Sequence, residues 1–395
     1  MASVDFLAVF SRLQLQNLKI HRAHCVVSRN RNASCRKCVD SCPSSAISFE
    51  ETGLSIDGAE CIGCGVCSTV CTAGVFEKQN PDDASLFKQA SLASNSLGGH
   101  VVFACSPLVH EVEELVDFNL FTEVHCLGEL DESLLAMLAA QGAKHITLVK
   151  GKCSECALAK GIDTATAVCD TTKTLFNAWN CSTPIEISDR LPGAIRKNHS
   201  GGYDVSRRSF FSQVRDDMRN AAGVTIDYAL DVERNRAEIN PNVEYIRVGT
   251  DGTLPYNVPG RRVRLLQALN MLGSSDENLV DTRLFGYAVV NQAACSSCYM
   301  CTVFCPTGAL SKYIKSGSVK GLYFSPAKCI QCGCCEDICP EKAIVVEHQV
   351  FANDIAERVK ERYCLDAPEI SVGTNPHQIV EKVKKLFGTS EVYEK

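Results

Sequence analysis

Four stretches of this chain share one spacing of cysteines, and that spacing restricts its fold more than any other feature. Residues 295–306 read CSSCYMCTVFCP and residues 329–340 read CIQCGCCEDICP, both following C-x2-C-x2-C-x3-C-P. Residues 61–72 read CIGCGVCSTVCT, a complete run with Thr72 in place of the proline. Residues 35–43, CRKCVDSCP, lack the first cysteine, whose place falls on Asn32. Such runs suit iron–sulfur cubanes for a physical reason. Three thiolates must come from one tight loop, and two-residue gaps let the chain wrap the cluster with its amide N–H groups facing the sulfurs. The fourth thiolate opens a helix and reaches a second cluster. Four-cysteine zinc sites also use C-x2-C pairs, so structural zinc is the bland alternative.

The chain has 24 cysteines in 395 residues. Its first residues, MASVDFLAVFSRL, hold only a short apolar run interrupted by a charge, so no secretion signal or membrane span is expected. That many cysteines without export argue for metal or redox chemistry in the cytoplasm, and against a disulfide framework. The formal charge of −6, with no basic stripe, gives no support to nucleic-acid binding. An acidic carrier favours electropositive docking surfaces on its partners. Residues 206–211, SRRSFF, look like an export motif but lie mid-chain; they read as a helix start, with Phe210, Phe211, Val214 and Met218 at helical spacing.

The two cysteine-rich stretches form an internal repeat, and each resembles a bacterial two-cluster ferredoxin. The resemblance implies crossed ligation: Cys295, Cys298, Cys301 and Cys339 around one [4Fe–4S] cluster, and Cys329, Cys332, Cys335 and Cys305 around its neighbour. Cys334 stands off the spacing. In the first module Cys61, Cys64, Cys67 and Cys42 form one set. The other takes Cys35, Cys38, Cys71 and Cys25, because a loop of nine residues from Cys25 to Cys35 is long enough to return a thiolate. His24 as ligand, or a three-iron cluster, are the alternatives. Short apolar stretches around Gly53 fit the family's hairpin.

Between the modules, residues 100–104, 121–125 and 145–149 are β-branched runs, with a fourth strand expected over 184–187. Helices are expected over 108–118 and over 132–141, the latter with Asp131 as N-cap and Gly142 as its stop. Strands alternating with helices mean βαβ units and a small parallel sheet. Cys105, Cys126, Cys153 and Cys156 each follow a strand, so they fall at the carboxyl edge where such sheets bind ligands. The stretch from Cys126 to Cys156 resembles the delta subunit of methyl-viologen-type hydrogenases, which implies a [2Fe–2S] cluster and heterodisulfide-reductase-type partners. The chain departs from it in that Cys105 stands without a second cysteine nearby. A zinc site, a Cys153/Cys156 dithiol and plain buried cysteines stay open. Cys169, Cys181 and Cys364 read as free thiols in or near cores.

The expected architecture is α+β and multidomain: two ferredoxin-like dicluster modules plus a central small α/β parallel-sheet domain. The divisions fall at residues 1–95, 96–190, 191–285 (a helical linker with a helix over 261–272), 286–348, and a helical tail over 349–395 with an amphipathic helix at 376–387. No nucleotide-binding glycine pattern, P-loop or zinc-protease motif occurs. The expected function is that of an electron-transfer subunit. Its partners would be a hydrogenase, a formate dehydrogenase or other molybdenum or tungsten enzyme, or a heterodisulfide-reductase-like flavoprotein. The alternatives are a disulfide-type reductase and a redox sensor.

Overall fold

The computed structural model describes residues 18–50, 53–79, 81–197, 253–276, 278–315 and 318–365. The helix expected from Ser206 and the helix expected over 376–387 lie outside them.

Both cysteine-rich modules follow one plan. In the first, strand Leu18–Ile20 pairs antiparallel with Phe76–Lys78, and the hairpin expected around Gly53 joins Ile47–Glu50 to Gly53–Ile56. In the second, Tyr287–Val290 pairs with Ile344–Glu347, and Leu310–Lys315 forms a hairpin with Ser318–Phe324. The plan repeats because each fourth cysteine is followed by the same turn. Its third residue is left-handed in all four copies: Ser45, Gly74, Gly308 and Lys342, with φ of 56°, 70°, 65° and 49°. The reversal tucks an apolar pair beneath the cysteines each time: Ala46-Ile47, Val75-Phe76, Ala309-Leu310 and Ala343-Ile344 are all buried.

The second module reaches further along the chain than its cysteines suggest. Residues 349–364, expected as the start of a helical tail, form two strands around a short helix, Ala352–Ala356. Gln349–Phe351 pairs with Leu279–Asp281, and Glu361–Cys364 adds a third strand to the hairpin. Gly321 makes that addition possible: at φ +153°, a Cβ there would lie 1.9 Å from the carbonyl oxygen of Tyr363.

The central unit is a four-stranded parallel sheet in the order Thr122–Val124, His100–Cys105, His145–Val149, Ile185–Ser188. The middle strands are apolar on both faces, as helix-covered parallel strands require. Asp131 caps the helix Glu132–Ala140 by accepting from the N–H groups of Ser133 and Leu134, and Gly142 ends it at φ 98°. The helix expected over 108–118 is shorter, Ser106–Val112. Beyond it the chain turns away to pair with residues near 196, through a bridge between Val116 and Arg196 and the Asp117 N–H on Ile195. Helix Asp83–Ser96 buries Leu86 and Ala90 in the sheet's core, so by packing it joins this unit rather than the module before it. Gly161–Ala178 is a long helix with two jobs. Ala165, Val168 and Cys169 face the sheet, while Leu175 and Phe176 meet Leu265, Ala268 and Leu269 of helix Gly260–Leu272.

The parts are locked together by apolar and ionic contacts. Val26, Ala33, Leu254, Met300, Val303, Phe304, Cys334 and Ile338 form one core shared by the two modules. Each large side chain buried there contributes about 2 kcal/mol. Among the described residues no helix is long and apolar enough to cross a membrane.

Candidate functional site

Every complete cysteine run bends the same way. The residues flanking its middle cysteine are left-handed: Gly63 and Gly65, Ser297 and Tyr299, Gln331 and Gly333. Such turns aim successive N–H groups into a concavity that attracts negative charge. For Ser297, Tyr299 and Gln331 the conformation costs on the order of 1 kcal/mol each, so the loop geometry is held against local preference. The amides do meet sulfur. Val66 donates to Cys64, Ser297 to Cys295, both Gln331 and Gly286 to Cys329, and Cys334 to Cys332. The Ala343 amide donates to the Cys339 Sγ at 3.2 Å.

The cysteines gather in quartets. Cys295, Cys298, Cys301 and Cys339 line one cavity; Cys305, Cys329, Cys332 and Cys335 line a second. Cys334 stands in the wall of the second, buried in the core shared by the modules. Cys25, Cys35, Cys38 and Cys71 line a third. Cys42, Cys61, Cys64 and Cys67 are near enough for their charges to act on one another. Among the described residues no three His, Cys, Asp or Glu side chains are drawn together as a single metal ion requires. The quartets enclose space rather than a point, and their all-sulfur donor set suits iron–sulfur clusters.

A cysteine from upstream joins the incomplete run at its cavity. Cys25 precedes the short helix Val26–Arg29 and its sulfur accepts from the Ser28 and Val27 amides and the Ser28 hydroxyl. Asn32 is exposed. The His24 ring is engaged elsewhere, with Nδ1 3.0 Å from the carbonyl oxygen of Gly74 and the ring stacked on His21.

Burial dominates the electrostatics. It pushes the Cys38 thiol up to about 12 and those of Cys64, Cys71 and Cys329 up to about 11, with Cys67, Cys301, Cys332 and Cys335 moved well above the usual thiol range. Neighbouring cysteines push the same way. Positive charge in their midst, as iron supplies, makes thiolates of such groups.

The central sheet brings Cys105, Cys126, Cys153 and Cys156 to one cavity at its carboxyl edge, beside His125, Lys150 and Lys152. Three of these sulfurs accept backbone N–H groups: Cys105 from Gly151 at 3.3 Å, Cys126 from Gly128 at 3.5 Å and Cys156 from Leu158 at 3.4 Å. All 24 cysteines are free, Cys153 and Cys156 included. Cys169 is buried in the sheet's core and Cys181 packs half-buried against the separate core that includes Leu175, Phe176 and Leu265, whereas Cys364 is exposed at the end of its strand, not in a core.

The quartets also neighbour one another. Cys126 and Cys64 feel each other's charge, and Gly161 stands between the Cys126 sulfur and Val66. Cys67 feels Cys38, linking the two quartets of the first module. Cys332 reaches the wall of the Cys25 cavity. Across the same junction Thr72 donates to the carbonyl of Ile330 at 2.9 Å and Lys37 to that of Gln331 at 3.2 Å. Cys335 feels Cys301, linking the quartets of the second module. Sequence reasoning missed Gly161, which stands at the first of these approaches, because it acts on a cysteine far away in the chain.

Residues 33–75 and 286–365 match the 4Fe-4S dicluster domain family, together under a third of the chain. Cys25 lies outside the matched residues, as does the whole central sheet. The likeness indicates an iron–sulfur electron-transfer role. No curated protein matches the chain.

Proposed function

We propose that the chain is the electron-transfer subunit of a cytoplasmic multi-subunit oxidoreductase, relaying single electrons through four [4Fe–4S] clusters and one [2Fe–2S] cluster. The observation that carries this reading is the single file of quartets. It runs from the central Cys105 quartet to the Cys61 quartet, then the Cys25, Cys329 and Cys295 quartets. In each station the four thiolates hold iron and the surrounding amides stabilise their charge. Each station gains one electron from a neighbour that loses one, and no bond of a substrate is made or broken. A partner subunit supplies the bond chemistry: a hydrogenase, a formate dehydrogenase or other molybdenum or tungsten enzyme, or a heterodisulfide-reductase-like flavoprotein. The resemblance of the stretch from Cys126 to Cys156 to hydrogenase delta subunits is in keeping with that context and an anaerobic setting.

Anaerobically prepared protein is expected to carry about sixteen irons in its four cubanes, and about eighteen with the central two-iron cluster. Total iron, acid-labile sulfide and the electron paramagnetic resonance of the reduced protein measure this. An iron content near four together with bound zinc overturns the relay.

A further inference from the structure

Helix Gly260–Leu272 carries three arginines in its first turns, and one of them differs in its company. Arg261 and Arg264 each pair with Asp83 and Asp131. Nearby, Arg283 grips Glu132 through both carboxylate oxygens, at 2.7 and 2.9 Å. Arg262 turns the other way. It is only 5% exposed, and among the described residues no carboxylate lies within ion-pairing distance of it. Its guanidinium lies 4.0 Å over the ring of Phe285 and donates through Nη2 to the carbonyls of Leu284 and Cys329, the latter at 3.1 Å. Nη1 is buried with no hydrogen-bond partner.

A buried guanidinium without a counter-charge is among the least favourable groups a fold can hold. Two negative charges act on it: first that of the Cys329 thiolate with whatever that thiolate binds, then that of Glu132, which Arg283 already holds. Arg29, also buried, is a second cation near this quartet: it donates to the carbonyls of Phe304 and Pro255, and its charge is felt by Cys334 in the cavity wall.

We infer that Arg262 is the counter-charge of the cluster held by Cys305, Cys329, Cys332 and Cys335, and that it makes this cluster the preferred resting place of the electron among the four cubanes. The inference rests on the relay proposed above. When this cubane takes one electron from a reduced neighbour, which is thereby oxidised by one, its net charge falls by one, and a cation beside it in a medium of low dielectric favours that reduced form. Arg262 touches no reacting atom; it acts on the potential through Cys329, as a positioning and tuning residue. The cluster nearest the junction of the two modules then collects electrons arriving from the first module.

The test is a redox titration of the full-chain holoprotein followed by electron paramagnetic resonance. The couple of this quartet is assigned as the signal altered in Cys335→Ser. In the unmodified protein it is expected to be the first cubane reduced. In Arg262→Gln its ratio of reduced to oxidised form at fixed potential is expected to fall about tenfold, equal to ~59 mV for one electron. Arg262→Lys, which keeps the charge, is expected to recover most of that, and Arg264→Gln to leave this couple unmoved. Arg262→Met, with an apolar chain to cover Phe285, replaces the glutamine variant if that one does not fold. A couple unmoved in iron-replete Arg262→Gln or Arg262→Met protein, or one reduced last in the unmodified protein, overturns the inference. Absence of any cubane from the unmodified protein overturns the relay instead.

Discussion

Cys25 completes a quartet from a position that regular spacing would have given to residue 32. Serine at this place keeps the shape but replaces a soft thiolate with a poor iron ligand. Cys25→Ser is therefore expected to lose about one iron per chain and to show a three-iron signal when oxidised. Asn32→Ala is expected to change neither iron content nor spectrum, since Asn32 is exposed. A three-iron signal already present in unmodified protein would remove Cys25 from the ligand set. The cysteine runs are legible in sequence because the geometry they serve is local: their cysteines stand three or four positions apart. What lies outside that local code is not legible. Nothing in their residue type says that Ser297, Tyr299 and Gln331 are left-handed; the cysteines on either side impose it. Arg262 approaches Cys329 from another part of the chain, so no motif reveals it.

At the scale of elements, the strands were readable from β-branched runs and the helix at Glu132–Ala140 from its cap, whereas elements stabilised by distant partners were not. The third strand Glu361–Cys364 exists because Ser318–Phe324 offers it an edge, and helix Ser106–Val112 stops where the Arg196 segment competes for its chain. Helix Glu132–Ala140 illustrates how such partners are tied. Glu132 is buried, and its carboxyl is held above the usual range by burial, against the pull of Arg283. Arg283→Met leaves that charge without its partner, a loss of about 3 kcal/mol. Because a carboxyl raised in the folded state favours folding at low pH, its contribution weakens as pH rises through the folded value. The deficit of Arg283→Met is accordingly expected to be full at neutral pH and to shrink on acidification towards the ordinary carboxylate range, as Glu132 becomes neutral. Denaturant midpoints measured across that range on both proteins check the sign. A deficit that grows as pH falls would mean that Arg283 serves some other group.

For the whole molecule the decisive matter is whether the central sheet is the end of the file. Gly161 is where the central quartet meets the first module: a Cβ there would stand 2.3 Å from the Cys126 sulfur and 3.6 Å from Val66. Gly128 closes the other side, since a Cβ on it would meet the Gly161 carbonyl oxygen at 2.6 Å. A methyl group at 161 therefore forces Cys126 out of the quartet or the helix away from the first module. Gly161→Ala is expected to lose about two irons and the two-iron signal, while the four cubanes remain. Their mutual magnetic broadening in the fully reduced protein is expected to persist, because no cubane reaches another through the central sheet. Only the cubane of Cys42, Cys61, Cys64 and Cys67 is expected to relax differently, having lost its neighbour. Electron delivery from a partner that docks at the central domain is expected to stop, although a small reductant still fills all four cubanes. If the variant keeps its full iron and its two-iron signal, Cys126 does not ligate. If the cubanes of the two modules uncouple from each other, the central site lies between them and the file is ordered otherwise.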